Sequence, residues 1–256
     1  MKVAGRGRII IWEGASLWIM QVVPARGSVT NITDFHSHHA IQVTLALEGR
    51  FELRSRAKSL PNDAAVAPDV DHVFEAEGLV ALLFVEPESE PGRAIAQSLF
   101  ARQNLVPVPR PLVADIAADL LAQYRRRAPD EAVLQKLGRR LVERLAGLAR
   151  AAPPDPRVQK IMSYAAARLD NAITLGAAAK SAGLSSGRAR HLFVEQTGLP
   201  FRKYLLWLRI TRAVALFAGG ATLTQAAHEA GFSDSAHFSR TFRRMFGIAA
   251  AMLEIV

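Results

Sequence analysis

A repeated unit in the C-terminal half of the chain places the strongest constraint on its fold. Residues 174–185 have the sequence TLGAAAKSAGLS and residues 222–233 have TLTQAAHEAGFS, so seven of twelve positions are identical at a spacing of 48 residues. In each copy an alanine-rich stretch ends at a glycine, which tolerates the positive φ of a tight turn. A second helical pattern with an apolar face follows. The repeat therefore predicts two helix–turn–helix units in one chain.

The two copies share a turn, a cap and an aromatic core position. Serine is a preferred N-cap because its hydroxyl accepts a hydrogen bond from a free amide at the start of a helix. Phenylalanine at helical spacing anchors the helix to a core. The expected glycine, serine cap and phenylalanine are Gly183, Ser185 and Phe193 in the first copy, and Gly231, Ser233 and Phe238 with Phe242 in the second.

A long helix is predicted between the copies. It starts at Pro200 and stops at Gly219-Gly220. About 18 residues at ~1.5 Å each give roughly 27 Å. With its flanking turns, a rod of this length can hold two recognition helices about one DNA turn (~34 Å) apart. One chain would then present two helices to successive major grooves.

The outward-facing polar residues of the repeat are candidates for DNA contacts. Arginine pairs with guanine through two hydrogen bonds, whereas other basic side chains hold phosphates without reading sequence. The candidates for base-edge contacts are Arg188, Arg190, His191, Ser235, Ser239 and Arg240. The candidates for phosphate contacts are Arg202, Lys203, Arg243 and Arg244.

Positive charge is concentrated with the repeat. Residues 157–256 carry 13 Lys and Arg against 5 Asp and Glu, a net charge of +8, whereas residues 1–150 have a net charge of +2. A basic domain attracts polyanions, and nucleic acid is the usual partner. Arginine-rich genome composition is the alternative explanation of the charge alone.

The N-terminal part of the chain has a different pattern. Residues 9–85 are predicted mostly as strands, because AIQVTLALEGRFELR alternates apolar and polar residues, with Glu48-Gly49 as a turn. Residues 112–150 change to helical spacing and restart at Pro129-Asp130. Their apolar stripe either packs on the strands or pairs with its copy in a dimer; it comprises Leu112, Ile116, Leu120, Tyr124, Leu134, Leu137, Leu141, Leu145 and Leu148.

Composition excludes several classes of site and location. The chain has no cysteine, which removes disulfides, thiolate nucleophiles and cysteine metal ligands. No stretch of 18 uninterrupted apolar residues is present, so no membrane span is expected. The N-terminal apolar run is only residues 9–12 before Glu13, too short for a secretory signal. A cytoplasmic protein is expected.

A histidine-rich stretch, FHSHHAIQVTLALEG, is the second informative motif. If it is a strand, His36, His38 and Gln42 share one face, and His39 points the other way. The spacing H-x-H-x3-Q-x6-G resembles the first cupin motif, with Gln42 in place of a glutamate, and APDVDH, which contains His72, loosely resembles the second. Three readings stay open for these residues: hydrogen-bond partners in an organic-ligand pocket, a divalent metal site, or support of the fold.

One enzyme motif is excluded by its context. Residues 183–187, GLSSG, match the hydrolase pattern G-x-S-x-G around Ser185. That motif needs a strand before the serine, and here a helix is predicted before it. No catalytic residue is predicted.

The stretches AGFSDSAHFSRTFRRMFG and LRITRAVALF resemble the signature and the linking helix of the AraC/XylS family of bacterial transcription regulators. The resemblance covers about residues 157–250 and implies an all-α, two-unit DNA-binding domain that acts at promoters, usually as an activator. It also implies a cupin-like effector domain, homodimers, contact with RNA polymerase, and a place in the cytoplasm at the nucleoid.

The expected fold is α+β. It comprises a cupin-like β-barrel effector domain over residues 1–110, a helical connector over 111–150 with possible dimerisation, a linker over 151–156, and the double helix–turn–helix domain over 157–256. The expected function is a DNA-binding regulator controlled by a small-molecule effector, with no required cofactor. The alternative is a metal-responsive regulator, or a metal-dependent cupin enzyme fused to a DNA-binding domain, with His36, His38 and His72 as metal ligands.

Overall fold

The computed structural model of the chain describes residues 4–24, 31–147, 149, 151–169 and 173–256. It divides into two compact units. Unit 1 comprises Met1–Ala151 together with Phe242–Val256, and unit 2 comprises Ala152–Thr241. Within the described ranges, no helix is long and apolar enough to cross a membrane.

Unit 1 is built on a mixed β-sheet. In the part of the chain that the structure describes, its strands are β1 (Gly5–Trp12), β2 (Ala15–Val22), β3 (Asn31–Ile32), β4 (Ile41–Ser55), β5 (Ser59–Pro61), β6 (Ala64–Val66), β7 (His72–Val85), β8 (Leu105–Pro107) and β9 (Leu253–Ile255). The sheet order is β8-β6-β4-β7-β2-β1-β9, with β3 paired to β7 and β5 paired to β4. The predicted strand-rich N-terminal region is confirmed.

Three helices cover one face of this sheet. They are α1 (Glu90–Leu99), α2 (Arg110–Tyr124) and α3 (Glu131–Ala146). The alternating Ile41, Val43 and Leu45 of β4 face them and share one buried cluster with the predicted leucine stripe of α2 and α3. The side chain of Asp130 caps α3, at the restart expected from sequence. Most of the described stripe is thus buried within the chain, with Leu112 and Tyr124 half-buried; Leu148 lies outside the described residues.

The predicted turn at Glu48-Gly49 is wrong. Strand β4 continues through both residues, and a β-bulge interrupts its register with β7 between Ala46 and Glu48. Gly49 has a φ of 75°, and a Cβ added there would lie 2.3 Å from the carbonyl oxygen of Glu77. The glycine serves a close backbone approach at a bend in a long strand, which is a common role for glycine inside strands.

Unit 2 is helical. Its helices are α4 (Pro156–Ala166), α5 (Leu175–Ser181), α6 (Ser186–Thr197), α7 (Phe201–Ala218), α8 (Leu223–Glu229) and the first part of α9 (Ser235–Phe246). The pairs α5–α6 and α8–α9 are the two predicted helix–turn–helix units, and α7 is the predicted connecting helix. The ring of Phe193 packs edge-on against Phe201 and Tyr204, at centroid distances of 5.4 and 5.2 Å.

The chain ends in a strand, which corrects the expectation of an all-α C-terminal domain. After α9, Leu253–Ile255 form β9, which pairs in parallel with β1 so that Leu253 lies opposite Gly5. Residues Phe242–Val256 belong to unit 1. The boundary predicted for the DNA-binding domain, 157–256, therefore differs from unit 2 at its C-terminal side.

Candidate DNA-binding surface and effector cavity

The first candidate recognition helix is α6. Its N-cap is Ser185, as predicted, and the hydroxyl accepts a hydrogen bond from the amide of Arg188 at 3.3 Å. Gly198 ends the helix in the left-handed conformation, with a φ of 72°. Arg188, Arg190 and His191 are all exposed on this helix, so the structure leaves these side chains accessible to a partner.

The second candidate recognition helix, α9, has a different cap from the one predicted. The amide of His237 donates to Oδ1 of Asp234 at 2.6 Å, and Asp234 directly precedes the helix. Ser233 instead bonds to the side chain of Asp234. The predicted Ser233 N-cap is therefore wrong, and the turn of the second unit is one residue longer than that of the first.

Counting from the caps aligns the two helices. Both α6 and α9 have 12 residues. In this alignment Arg190 is equivalent to Ser239, and His191 is equivalent to Arg240. All four are predicted base contacts, and all four side chains are exposed.

Two further positions follow from the same count. Ser235, also exposed, is the first residue of its helix. His237, which the sequence analysis missed, corresponds to Arg188. The signal for His237 was Asp234, whose carboxylate is as good an N-cap as a serine hydroxyl.

The predicted phosphate contacts lie at two helix ends. Arg202 and Lys203 are exposed in the first turn of α7, and Arg243 and Arg244 are exposed in the last turn of α9. Arg243 already has an anionic partner, because its Nε and Nη2 atoms both lie 2.7 Å from Oδ2 of Asp34. Both residues belong to unit 1.

The structure brings together three of the predicted histidines in unit 1. His36, His38 and His72 are buried, and one ring nitrogen of each lies within 4.8 Å of the others. The ring of His72 is 4.1 Å from that of His36 and 5.1 Å from that of His38, centroid to centroid. His36 and His72 also form a β-bridge. The backbone over residues 37–40 is not a strand, so the histidines meet through this bridge and not along one strand face.

Backbone carbonyls orient all three rings. The Nδ1 atoms of His36, His38 and His72 lie 2.8, 3.0 and 2.8 Å from the carbonyl oxygens of residues 34, 40 and 70. A neutral imidazole carries one N–H, so these contacts place the hydrogen on Nδ1 and leave Nε2 as an acceptor.

The Nε2 atoms have different surroundings. Nε2 of His72 is buried and has no hydrogen-bond partner within the described part of the chain. Nε2 of His38 faces Oε1 of Gln42 at 2.9 Å. An exchange of the amide O and N of Gln42 would turn this contact into a donor–acceptor pair.

Burial keeps these histidines uncharged. Burial and the neighbouring His38 lower the pKa of His36 to about 4, while burial and His72 lower the pKa of His38 to about 3. Burial and His36 lower the pKa of His72 to about 3. At neutral pH the cluster therefore consists of neutral imidazoles, which are both hydrogen-bond partners and potential metal ligands.

His39 points away from this cluster, as predicted, and is buried. Its Nδ1 lies 3.1 Å from Oδ2 of Asp69, and its Nε2 bonds to Glu88. Burial alone would lower the pKa of His39, but the hydrogen bonds to Asp69 and Glu88 outweigh it and raise the pKa to about 9. The charged imidazolium ties the histidine loop to the loops before and after β7.

A cavity of about 90 Å³ lies on the face of the sheet opposite the helices of unit 1. His36 and Gln42 line it, whereas His38 and His72 lie behind them in the histidine cluster and are not part of the lining. The remaining wall is mostly apolar, with Trp18, Phe84 and Phe246 among its residues. Two of the four predicted pocket residues thus reach the cavity directly.

Comparison with known proteins agrees with this architecture. Residues 178–253 match the family model described as a helix-turn-helix domain. The HTH-type transcriptional activator RhaS of Escherichia coli (strain SE11) is 33% identical over 91 residues, which span 35% of this chain and 33% of RhaS. The match thus covers about a third of the length of that curated relative.

Over this matched segment the chain is similar to transcription regulators of the AraC/XylS type, as its signature stretch predicts. The crystal structure of ToxT from Vibrio cholerae O395 superimposes with a TM-score of 0.58 at 13% identity, and covers 93% of this chain and 95% of ToxT. A structure of unsaturated fatty acid-bound ToxT from strain SCE256 gives a TM-score of 0.55 at 11% identity, over 94% and 93% of the two chains. These superpositions establish the fold alone, an N-terminal cupin-like sheet domain followed by helix–turn–helix units.

Proposed function

We propose that this protein is a sequence-specific, DNA-binding transcription regulator that activates its promoters and is controlled by a small molecule bound in unit 1. The observation that carries the proposal is the pair of matched helices, α6 and α9, each capped, equal in length and exposed on its polar face. A recognition helix needs these properties to enter a major groove. The net charge of +8 over residues 157–256 supports a polyanionic partner.

The other partners follow from the same proposal. A promoter-bound activator works through RNA polymerase, and it acts at the nucleoid in the cytoplasm. We propose a homodimer, since effector-controlled presentation of two DNA-binding domains gives a ligand two states to distinguish. RhaS is named a transcriptional activator, which supports activation.

Catalysis has no support at the one enzyme-like motif. Helix α5, and not a strand, precedes Ser185, whose hydroxyl is engaged as a helix cap. We therefore propose that the protein is not an enzyme.

Selection of duplexes from a random pool tests DNA recognition. The full chain is expected to enrich one sequence with two half-motifs about one helical turn apart. Charge-retaining replacement of both helix faces should abolish enrichment while keeping weak, salt-sensitive binding. Recovery of no motif, with equal affinity for all duplexes, would contradict sequence-specific function.

A metal-responsive regulator is the second candidate, and the orientation of the histidines favours it. Metal-bound histidines usually donate their other ring N–H to a backbone carbonyl or carboxylate, as all three do here. The unpartnered Nε2 of His72 fits a ligand atom. A divalent ion would be held by His36, His38 and His72, and it would add positive charge and cross-link their loops. Gln42 is a weaker fourth ligand than a carboxylate.

Metal content of the untagged protein separates the two candidates. About one zinc, iron or nickel ion per chain, lost in both His36→Ala and His72→Ala, would establish the metal site. His39→Gln is a matched control, since His39 points away from the cluster. Less than a tenth of an ion per chain after incubation with each metal leaves the organic-effector function standing.

A further inference from the structure

Residues from the far end of the chain form one side of the cavity of unit 1. Phe246, Ile248 and Leu253 form part of its wall. The ring of Phe246 lies 5.1 Å from that of Trp18 and 5.8 Å from that of Phe84, centroid to centroid. Phe246 is also the last residue of α9. The segment from Phe246 to Leu253, named here the C-terminal wall, is therefore continuous with the second recognition helix.

Hydrogen bonds hold this wall in place on both sides. The amide of Asp34 donates to the carbonyl of Gly247 at 2.8 Å, and the amide of Ala4 donates to Met252 at 2.8 Å. Gly247 has no room for a side chain, because a Cβ there would lie 2.5 Å from Nδ1 of His36 and 2.6 Å from the carbonyl oxygen of Asp34. The wall thus touches the histidine cluster directly.

The lining of the cavity selects against charge. Among the described residues, no lysine, arginine, aspartate or glutamate lines it, and the polar side chains are the neutral Asn31, Thr33, His36 and Gln42. Moving an unpaired charge into such surroundings costs far more than moving an apolar ring. At about 90 Å³ the space is small. Engineered apolar cavities of comparable order, about 150 Å³, take up benzene.

We propose that the cavity binds a small uncharged molecule, a single aromatic or alicyclic ring with one hydrogen-bonding group, and that the C-terminal wall senses it. The inference rests on the proposed function, since it names the effector class and the contact through which the effector acts. The ring packs among Trp18, Phe84 and Phe246, and its polar group meets His36 or Gln42. A molecule bound in the cavity changes the packing around Phe246. It thereby changes the constraint on α9, which carries Ser239 and Arg240.

Pairs of neutral and anionic probes test the ligand class. The pairs are benzamide with benzoate, cyclohexanol with cyclohexanecarboxylate, and pyrrole with pyrrole-2-carboxylate, each titrated calorimetrically against the full chain. At least one neutral probe is expected to bind at least 10-fold more tightly than its anion, and to slow amide exchange over residues 246–256. Tighter binding of any anion, or no neutral binding up to the solubility limit, would overturn the ligand class.

A cavity-enlarging variant tests whether Phe246 is part of the wall. Phe246→Ala is expected to bind indole at least 10-fold more tightly than the wild-type chain does, because the deleted ring leaves room. Phe193→Ala is the matched control, since Phe193 is also buried but belongs to unit 2 and does not line the cavity. Equal gains in both variants, or no gain in Phe246→Ala when its circular dichroism matches the wild type, would remove Phe246 from the site.

A reversible lock tests the sensing step. Arg6 and Glu254 are exposed, ion-paired neighbours on β1 and β9, and the chain has no cysteine of its own. The double variant Arg6→Cys/Glu254→Cys therefore forms a single disulfide. With the neutral probe that binds best, the change in DNA affinity is expected to be at least 5-fold smaller in the oxidised form than in the reduced form.

The outcomes of the lock separate this inference from the proposed function. An oxidised form that responds like the reduced form and like the Arg6→Cys single variant would overturn sensing by the wall. A chain that binds a neutral probe and protects residues 246–256, yet binds no DNA in any form, would overturn the proposed function and leave the ligand class standing.

Discussion

The two helix–turn–helix copies share a helix length, a left-handed C-terminal glycine and a fully buried phenylalanine, but their surroundings differ. The first copy lies wholly in unit 2, and nothing lies within 4 Å of a Cβ added at its terminal Gly198. The second copy ends in unit 1, where Gly247 is enclosed by His36, Asp34 and Thr33. The two copies thus share their internal signals, while the second copy also makes contacts with unit 1 residues that the first copy lacks.

The largest expected difference between the copies is at these two glycines. Gly198→Ala should lower the free energy of unfolding by about 1–2 kcal/mol, the cost of a left-handed alanine. Gly247→Ala should cost roughly 3 kcal/mol or more, because the backbone around Asp34 must also move. Urea unfolding followed by circular dichroism measures both. Equal losses would mean that the crowding of Gly247 by His36, Asp34 and Thr33 adds no cost.

The two recognition helices should also contribute unequally to base recognition. Arg240→Ala is expected to weaken binding to the selected duplex by about 1–3 kcal/mol while leaving binding to a shuffled duplex nearly unchanged. His191→Ala, at the equivalent position of the first copy, should have a smaller effect because an imidazole makes fewer contacts than a guanidinium. Fluorescence anisotropy on both duplexes measures this. Uniform weakening by Arg240→Ala would reassign Arg240 to a phosphate contact.

The ion pair between Asp34 and Arg243 is present only at the second copy. Asp34→Asn should strengthen binding to both selected and shuffled DNA by up to about 1 kcal/mol, the upper value for an exposed pair, because it removes a carboxylate that competes with phosphate. Asp71→Asn is the matched control, since Asp71 pairs with Arg56 in unit 1. The gain should vanish when Arg243 is also replaced by alanine. A gain that persists in that double variant would exclude competition for Arg243.

The smallest predicted effect concerns the second residue of each recognition helix. Gly187 occupies this position in α6 with nothing within 4 Å of an added Cβ, whereas Ala236 occupies it in α9. Gly187→Ala should stabilise the protein by roughly 0.5–1 kcal/mol, and Ala236→Gly should destabilise it by a similar amount. Differential scanning calorimetry measures both. A loss of stability in Gly187→Ala, or a gain in Ala236→Gly, would show that a packing contact and not helix propensity decides the position.

Local signals in the sequence were enough to predict unit 2. Glycine turns, caps and apolar spacing act over a few residues. Both helix–turn–helix units and the connecting helix therefore appear where expected. The misplaced cap of α9 shows the limit of such signals, because Ser233 and Asp234 are adjacent and both are good N-caps. Only the hydrogen bond to His237 distinguishes them.

Contacts between distant residues were not predictable. Strand β9 is three residues long and exists because β1, at the other end of the chain, pairs with it. The ion pair of Asp34 with Arg243 spans 209 residues of sequence. The histidine cluster falls between these cases. Its members were identified from their spacing in the sequence, but no periodicity predicts the β-bridge through which His36 and His72 meet. Helix α1 was missed, since its pattern of residues is short and flanked by loops.

The membership of Phe242–Val256 in unit 1 also orders events during synthesis. Domains usually fold in the order in which they leave the ribosome, N-terminal first. Here the N-terminal sheet cannot gain its edge strand β9 until every residue of unit 2 has been translated. The β1 edge of the sheet therefore stays unpaired while unit 2 is being translated, and an unpaired edge strand is a site for aggregation.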